Sequence, residues 1–177
     1  MTVYALIALL FGLHVTISDF TARRVSNIAL LVVATAALAG RIAGLPGAPS
    51  LASSLAGALI GLLALLPFYA VRWMGAGDVK FFCVLGWLLG IQALLPTWIA
   101  ASLAAGVHAL LVVAWPRLAA LLPAGMQQLA GSCPGAAAIQ DWRTNLRAAR
   151  RGRKGIPYAG YMGMAMIGYV LWGYPYA

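Results

Sequence analysis

The feature that most restricts this chain is a succession of apolar runs. Each is close to the ~20 residues that a helix needs to cross a bilayer, and charged residues gather mainly between the runs. The pattern predicts an all-α fold: a polytopic bundle of about six transmembrane helices, at roughly 2–18, 28–44, 51–71, 79–95, 97–115 and 156–174. The fourth run, Val79 to Leu95, is short, and Pro96 leaves almost no loop before the fifth, so these two are expected to form a tight hairpin. Composition agrees, since 63% of the chain is hydrophobic and 8% charged, against about 25% charged in a soluble domain. One membrane domain covering 1–177 is the natural count. The N-terminus lacks the basic region of a cleavable signal, which marks a retained first helix.

A net charge of +9 in a soluble chain would suggest nucleic acid as a partner, but topology explains it better. Arg23 and Arg24, then Arg72 and Lys80, then Arg117 and the basic residues from Arg143 to Lys154 fall in alternate connections, with Arg41 alone on the other side. The positive-inside rule makes those connections cytoplasmic and both termini external. The connection at about 117–155 is the long one. Its first part is broken by Pro123, Gly125 and Pro134 and carries no assignable structure. Its second, Asp141 to Arg151, places Trp142, Leu146 and Ala149 at helical spacing among arginines, as in a helix lying on anionic inner-leaflet lipid; a solvated basic loop is the equal alternative.

With no Glu and three Asp, each carboxylate needs an account, because an acid inside a bilayer costs at least a few kcal/mol. Asp141 sits among arginines in the long connection, where a surface ion pair suffices. Asp19 follows the first helix and Asp78 immediately precedes the fourth, so the charge-derived topology sets both at the cytoplasmic boundary. Two such carboxyls, if they meet, share a proton, one activating water while the other polarises a peptide carbonyl. Gly75 and Gly77 flank the approach to Asp78 and are expected to permit unusual backbone angles there. The alternatives are that Asp78 merely caps its helix, and that Asp19 pairs with Arg23 four residues on. A carboxylate at a helix C-terminus is nevertheless opposed by the helix dipole, which makes the position of Asp19 the more telling.

His14 and His108, within the first and fifth helices, are proton relays or hydrogen-bonded packing partners, and neither has a second ligand at metal-binding spacing. Cys83 and Cys133 stand alone as structural thiols. No cofactor or metal is called for. Gly57, Gly61, Gly160, Gly163 and Gly168 are expected to let helices approach closely.

Three segments together resemble the type IV prepilin peptidases, membrane aspartyl proteases with a GxGD motif. They are Asp19 to Asn27, with its basic pair and terminal asparagine; Gly75-Ala76-Gly77-Asp78-Val79-Lys80, a full GxGDxK; and Lys154 to Ala159, with Pro157-Tyr158 at the start of the last helix. The resemblance implies Asp19 and Asp78 as the catalytic pair, with Gly75, Gly77, Lys80, Arg23, Arg24, Asn27, Pro157 and Tyr158 supporting it. It further implies a bacterial inner-membrane enzyme that removes the short basic leader of a prepilin on the cytoplasmic side, with a pilus or secretion machine as a further partner. Ser26 stands where the family usually has Pro. Paired CxxC motifs of an N-terminal methyltransferase region are absent, similar to the peptidase-only branch that serves Flp or Tad pili. A regular helix would not turn Lys80 toward Asp78, which leaves it a lipid-headgroup or substrate-positioning role. The rival from another class is a small ion-coupled transporter with its acids near the midplane; an inactive assembly protein that keeps the fold is a second.

Overall fold

The computed structural model describes residues 2–120 and 156–173, with side chains described except at 115–120 and 173. The expected surface helix at 141–151, Asp141, Cys133, Lys154 and Gly155 lie outside the described residues. Among the described residues six helices run in the order α1 (Val3–Ala22), α2 (Asn27–Ile42), α3 (Leu51–Ala70), α4 (Ala76–Leu89), α5 (Leu94–Ala120) and α6 (Tyr158–Gly173), with a 3-10 turn at Ile91–Ala93. Among the described residues there is no strand. A helix satisfies its own backbone polar groups, which is what an apolar chain in hydrocarbon requires.

Among the described residues three helices are long and apolar enough to cross a membrane: Val3–Ala22, Leu51–Ala70 and the stretch Ile91–Ala114. The chain is thus a helical membrane protein. Asn27–Ile42 is a shorter apolar helix of 16 residues, and α4, at 14 residues, is shorter still. At 1.5 Å per residue α4 covers only ~21 Å of a ~30 Å hydrocarbon layer.

Sequence and structure differ at several helix ends, the fifth helix running Leu94–Ala120 rather than 97–115, and three of the differences matter for the site. The first helix runs a turn beyond its expected end at 18 and takes Asp19 into its last turn. It stops at Arg23, whose left-handed backbone (φ 54°, ψ 44°) turns the chain while its N–H still bonds the Asp19 carbonyl. The fourth helix starts at Ala76 rather than 79, so Asp78 lies inside its first turn instead of before it. It ends at Leu89 rather than 95, because Gly90 adopts φ 81°, a conformation that costs glycine little and other residues about 1 kcal/mol or more. The hairpin between the fourth and fifth helices therefore turns at Gly90, not at Pro96. Pro96 falls within the first turn of α5, where its missing N–H would have had no helical partner in any case.

The bundle is built around α4, whose Val79, Phe81, Phe82, Leu85, Leu88 and Leu89 are all buried. Its closest neighbour is α3, and the approach depends on glycines: a Cβ on Gly86 would lie 2.3 Å from the Gly57 carbonyl oxygen, and one on Gly61 2.7 Å from that of Phe82. On the other side α1 packs against α6, where a Cβ on Gly163 would lie 2.7 Å from the Gly12 carbonyl oxygen. Gly168 has no atom of the described residues within 4 Å of where its Cβ would stand, so close packing among them does not account for that glycine.

At the far end of the bundle Arg41 donates to Ser54 Oγ at 2.6 Å and to the Pro49 carbonyl at 3.2 Å, and stacks 5.0 Å from the centre of the Trp87 ring. Arg23, Arg24, Arg72 and Lys80 belong to the opposite end, at the connections α1–α2 and α3–α4. The split of charge between the two ends of the bundle is the one that the alternating connections predict.

Candidate active site

The α1–α2 and α3–α4 connections and the start of α6 enclose a cleft of about 890 Å3. Asp19, Arg23, Arg24, Asn27, Gly75, Gly77, Asp78 and Tyr158 all line it. Both carboxylates that the sequence singles out therefore open into one space, from different helices.

Asp19 is buried, with 7% of its surface exposed, in the last turn of α1. Its own helix dipole opposes a negative charge there, and a second helix offsets this: the Gly160 N–H in the first turn of α6 donates to Asp19 Oδ2 at 2.8 Å. The glycine is required for that contact, since a Cβ at 160 would lie 2.7 Å from the Phe20 ring. Asp78 occupies the first turn of α4, where the dipole favours it, and its Oδ2 accepts the Gly75 N–H at 3.0 Å. The backbone N–H of Ala159 acts on it in the same sense as that of Gly75, favouring the ionised form. Successive amides of α6 thus act on the two aspartates.

Asp78 precedes the apolar run Phe81–Leu89. Its carboxyl is pushed up from an ordinary 3.8 to about 6. Burial is the main cause; the Gly75 N–H bond opposes it, the Asp19 charge adds to it, and the Ala159 N–H opposes it again. The charge on Asp19 is thus felt at Asp78, so the two carboxyls interact across the cleft.

The glycines of the GxGD segment act by size rather than by backbone angle. Gly75 has φ −79° and ψ 151°, ordinary extended values, and neither it nor Gly77 has a positive φ. A Cβ on Gly75 would crowd Asp78 Oδ2 at 3.3 Å, and one on Gly77 would meet Val25 Cγ2 at 3.2 Å. Gly77 thus lets the α1–α2 connection lie against the start of α4. A second tie is the hydrogen bond from Lys80 Nζ to Asn27 Oδ1 at 3.2 Å, which gives Lys80 a partner within the chain. Ser26, at the position where Pro was expected, serves as the N-cap of α2 and accepts the Ala29 N–H at 3.4 Å. Ser18 Oγ holds the same connection by donating to the Arg24 carbonyl at 2.7 Å.

Pro157 is buried just before α6 and precedes the amides that act on the aspartates. Tyr158 shares a hydrogen bond with Ser102 of α5 at 2.9 Å. His14 is exposed on α1 and does not line the cleft. His108 is hydrogen-bonded to Tyr161 on the α5–α6 contact, as a packing partner would be. The contributors that sequence reasoning missed are Val25, Ser18 and the amides of Ala159 and Gly160. The amides had one signal in the sequence, the otherwise unfavourable position of Asp19 at a helix C-terminus.

No curated protein and no solved structure matches the chain. The type IV leader peptidase family matches residues 6–110, a range that contains both aspartates and stops short of α6. With that match covering more than half of the sequence, the chain belongs to the type IV leader peptidase family.

Proposed function

We propose that this protein is a membrane aspartyl endopeptidase in which Asp19 and Asp78 jointly activate water to remove the basic leader from Flp-type prepilins. Family membership implies a peptidase. The aspartic mechanism rests on one observation above the others: two carboxylates from separate helices open into a single cleft, one held by an amide of a third helix and the other by the amide of Gly75. With one proton between them, the ionised carboxylate takes a proton from water as it attacks the peptide carbonyl, and the protonated one donates to the carbonyl oxygen. Collapse of the tetrahedral adduct breaks the C–N bond, with a proton passing to the departing amine. A pair containing a carboxyl at about 6 is suited to share a proton near neutral pH.

Gly75 and Gly77 leave room around Asp78, and Lys80, Asn27, Arg23 and Arg24 shape the connections that carry the pair. Pro157 and Tyr158 set the start of α6. In the same reading the enzyme is a multi-pass protein of the bacterial inner membrane, with six spans, both termini outside, and the cleft on the cytoplasmic side beside anionic lipid. The prepilin is its partner, and a pilus or secretion machine a further one. Acids at helix ends on one face favour this over a transporter, which would hold them near the midplane.

The test is co-expression with a prepilin, comparing the wild type with Asp19→Asn and Asp78→Asn by substrate mobility. Both variants are expected to leave the leader in place. Processing at the wild-type rate by either one refutes the pair, and by both refutes the aspartic mechanism.

A further inference from the structure

Asp78 lines a second cavity besides the polar cleft. A groove of about 800 Å3 opens on its other side, between the end of α3 and the face of α5, with Phe68, Trp98, Ala105, Gly106 and Ala109 among its walls. Gly75, Asp78, Ile156 and Tyr158 line both cavities. Phe68 and Trp98 also line a third cavity, of about 370 Å3, which continues between α3 and α5 past Ile60 to Ile91 and Leu95. Ile91 and Leu95 stand at the α4–α5 turn, the end of the bundle away from Asp78. The two grooves thus lie end to end along α3 and α5, with Phe68 and Trp98 at their common border, and together they form a furrow that runs from the aspartate toward the other end of the bundle, past Phe82 of the buried α4.

The furrow and the cleft differ in chemistry. Among the described residues, and apart from Asp78 itself, the furrow has one charged lining residue, Arg72 at the aspartate end. The cleft carries Arg23 and Arg24. A Cβ on Gly106 would meet nothing within 4 Å, so the space in front of that face of α5 is not filled by the described residues.

We infer that the furrow between α3 and α5 seats the apolar helix that follows the scissile bond of the prepilin, an assignment that rests on the peptidase reading above. A bond cleaved at Asp78 must have chain running away from it on both sides, and Asp78 lines two cavities. An apolar helix cannot lie among the arginines of the cleft without desolvating them. Those arginines also repel a basic leader, so binding strength must come from the helix side. Within a membrane there is no hydrophobic gain in moving a helix from lipid to protein, and association depends on close packing. Ser102, Ala105, Gly106 and Ala109, at i, i+3, i+4 and i+7 on α5, present a small-residue face on which a second helix can pack closely.

The test places a tryptophan in the furrow. Gly106→Trp is expected to lower kcat/KM for a full-length prepilin about tenfold or more, with the loss mainly in KM, while leaving thermal stability close to wild type. Leu103→Trp, on an exposed position of α5 outside the furrow, is expected to stay near wild type. Equal activities for the two variants would overturn the assignment. In parallel, a benzophenone side chain at position 106 of the inactive Asp78→Asn protein should cross-link to the apolar helix of the prepilin. Cross-linking to lipid alone shows an acyl-chain groove and overturns the assignment as well. A wild-type protein that processes no prepilin refutes the peptidase reading instead, so the two failures are distinguishable.

Discussion

Replacing Gly86 with alanine places a methyl group 2.3 Å from the carbonyl oxygen of Gly57 and 2.4 Å from its carbonyl carbon. The obstruction is backbone on both helices, so no side-chain rotation relieves it. Ordinary contact begins at 3.4 Å, and the difference from 2.3 Å requires α3 and α4 to separate by about 1 Å. Overpacking of this kind costs ~1–3 kcal/mol, against a gain of up to ~1 kcal/mol from replacing a helical glycine. A net destabilisation of ~1–2 kcal/mol is therefore expected. The functional effect is larger in proportion. Asp78 lies eight residues before Gly86 on the same helix, ~12 Å along its axis, and moves with it. A displacement of ~1 Å at a catalytic group can cost ~100-fold in rate. The assay pairs thermal unfolding in detergent with kcat for prepilin processing, and uses Gly168→Ala as the control, since no atom of the described residues lies within 4 Å of its Cβ position. Gly57→Ala should reproduce the loss, its Cβ falling 2.5 Å from the Gly86 carbonyl oxygen. The double substitution should cost less than the sum, because helices already separated have room for the second methyl. Gly86→Ala that matches Gly168→Ala in both melting and rate refutes the argument.

Three other outcomes follow from the site. If the pair must hold one proton, processing should fall with rising pH above the Asp78 value of about 6, approaching a tenfold loss per unit, and a flat profile from pH 6 to 8 would contradict this. Asp78→Asn, though inactive, should be more stable than wild type at pH 7: a carboxyl raised from 3.8 to about 6 on folding gives stability that is full below 3.8 and lost as pH rises through 6. The difference, ~1–3 kcal/mol, should vanish in melts near pH 4, and a gap independent of pH would show another origin. The Lys80–Asn27 bond predicts that Lys80→Met and Asn27→Ala each slow processing modestly and show a coupling of ~0.5–1 kcal/mol in a double-mutant cycle; strict additivity would show that the bond has no effect.

The composition and the alternation of charge were enough to determine that this chain is a helical membrane protein with Asp19 and Asp78 at one end of it. Apolar period and positive charge are local properties, and a membrane makes them nearly sufficient. Helix ends were less legible. Arg23 stops α1 in a left-handed conformation that is uncommon for a side chain of its kind, and Gly90 rather than Pro96 makes the α4–α5 turn. The unfavourable position of Asp19 signalled the need for a donor, but Gly160 could not be named as one, because it stands 141 residues away in the chain. Only the packing of α1 on α6, closed by Gly12, Gly160 and Gly163, brings that amide to the carboxylate. The role of the GxGD glycines was decided the same way: their backbone angles are ordinary, and what they provide is the absence of a side chain where Val25 and the Asp78 carboxyl approach. Sequence determined which residues carry the charge, through the high cost of an acid near hydrocarbon. Tertiary structure decided how two such charges are brought together, because Asp78 is held locally by Gly75 whereas the amide that holds Asp19 comes from a third helix that no local pattern connects to it.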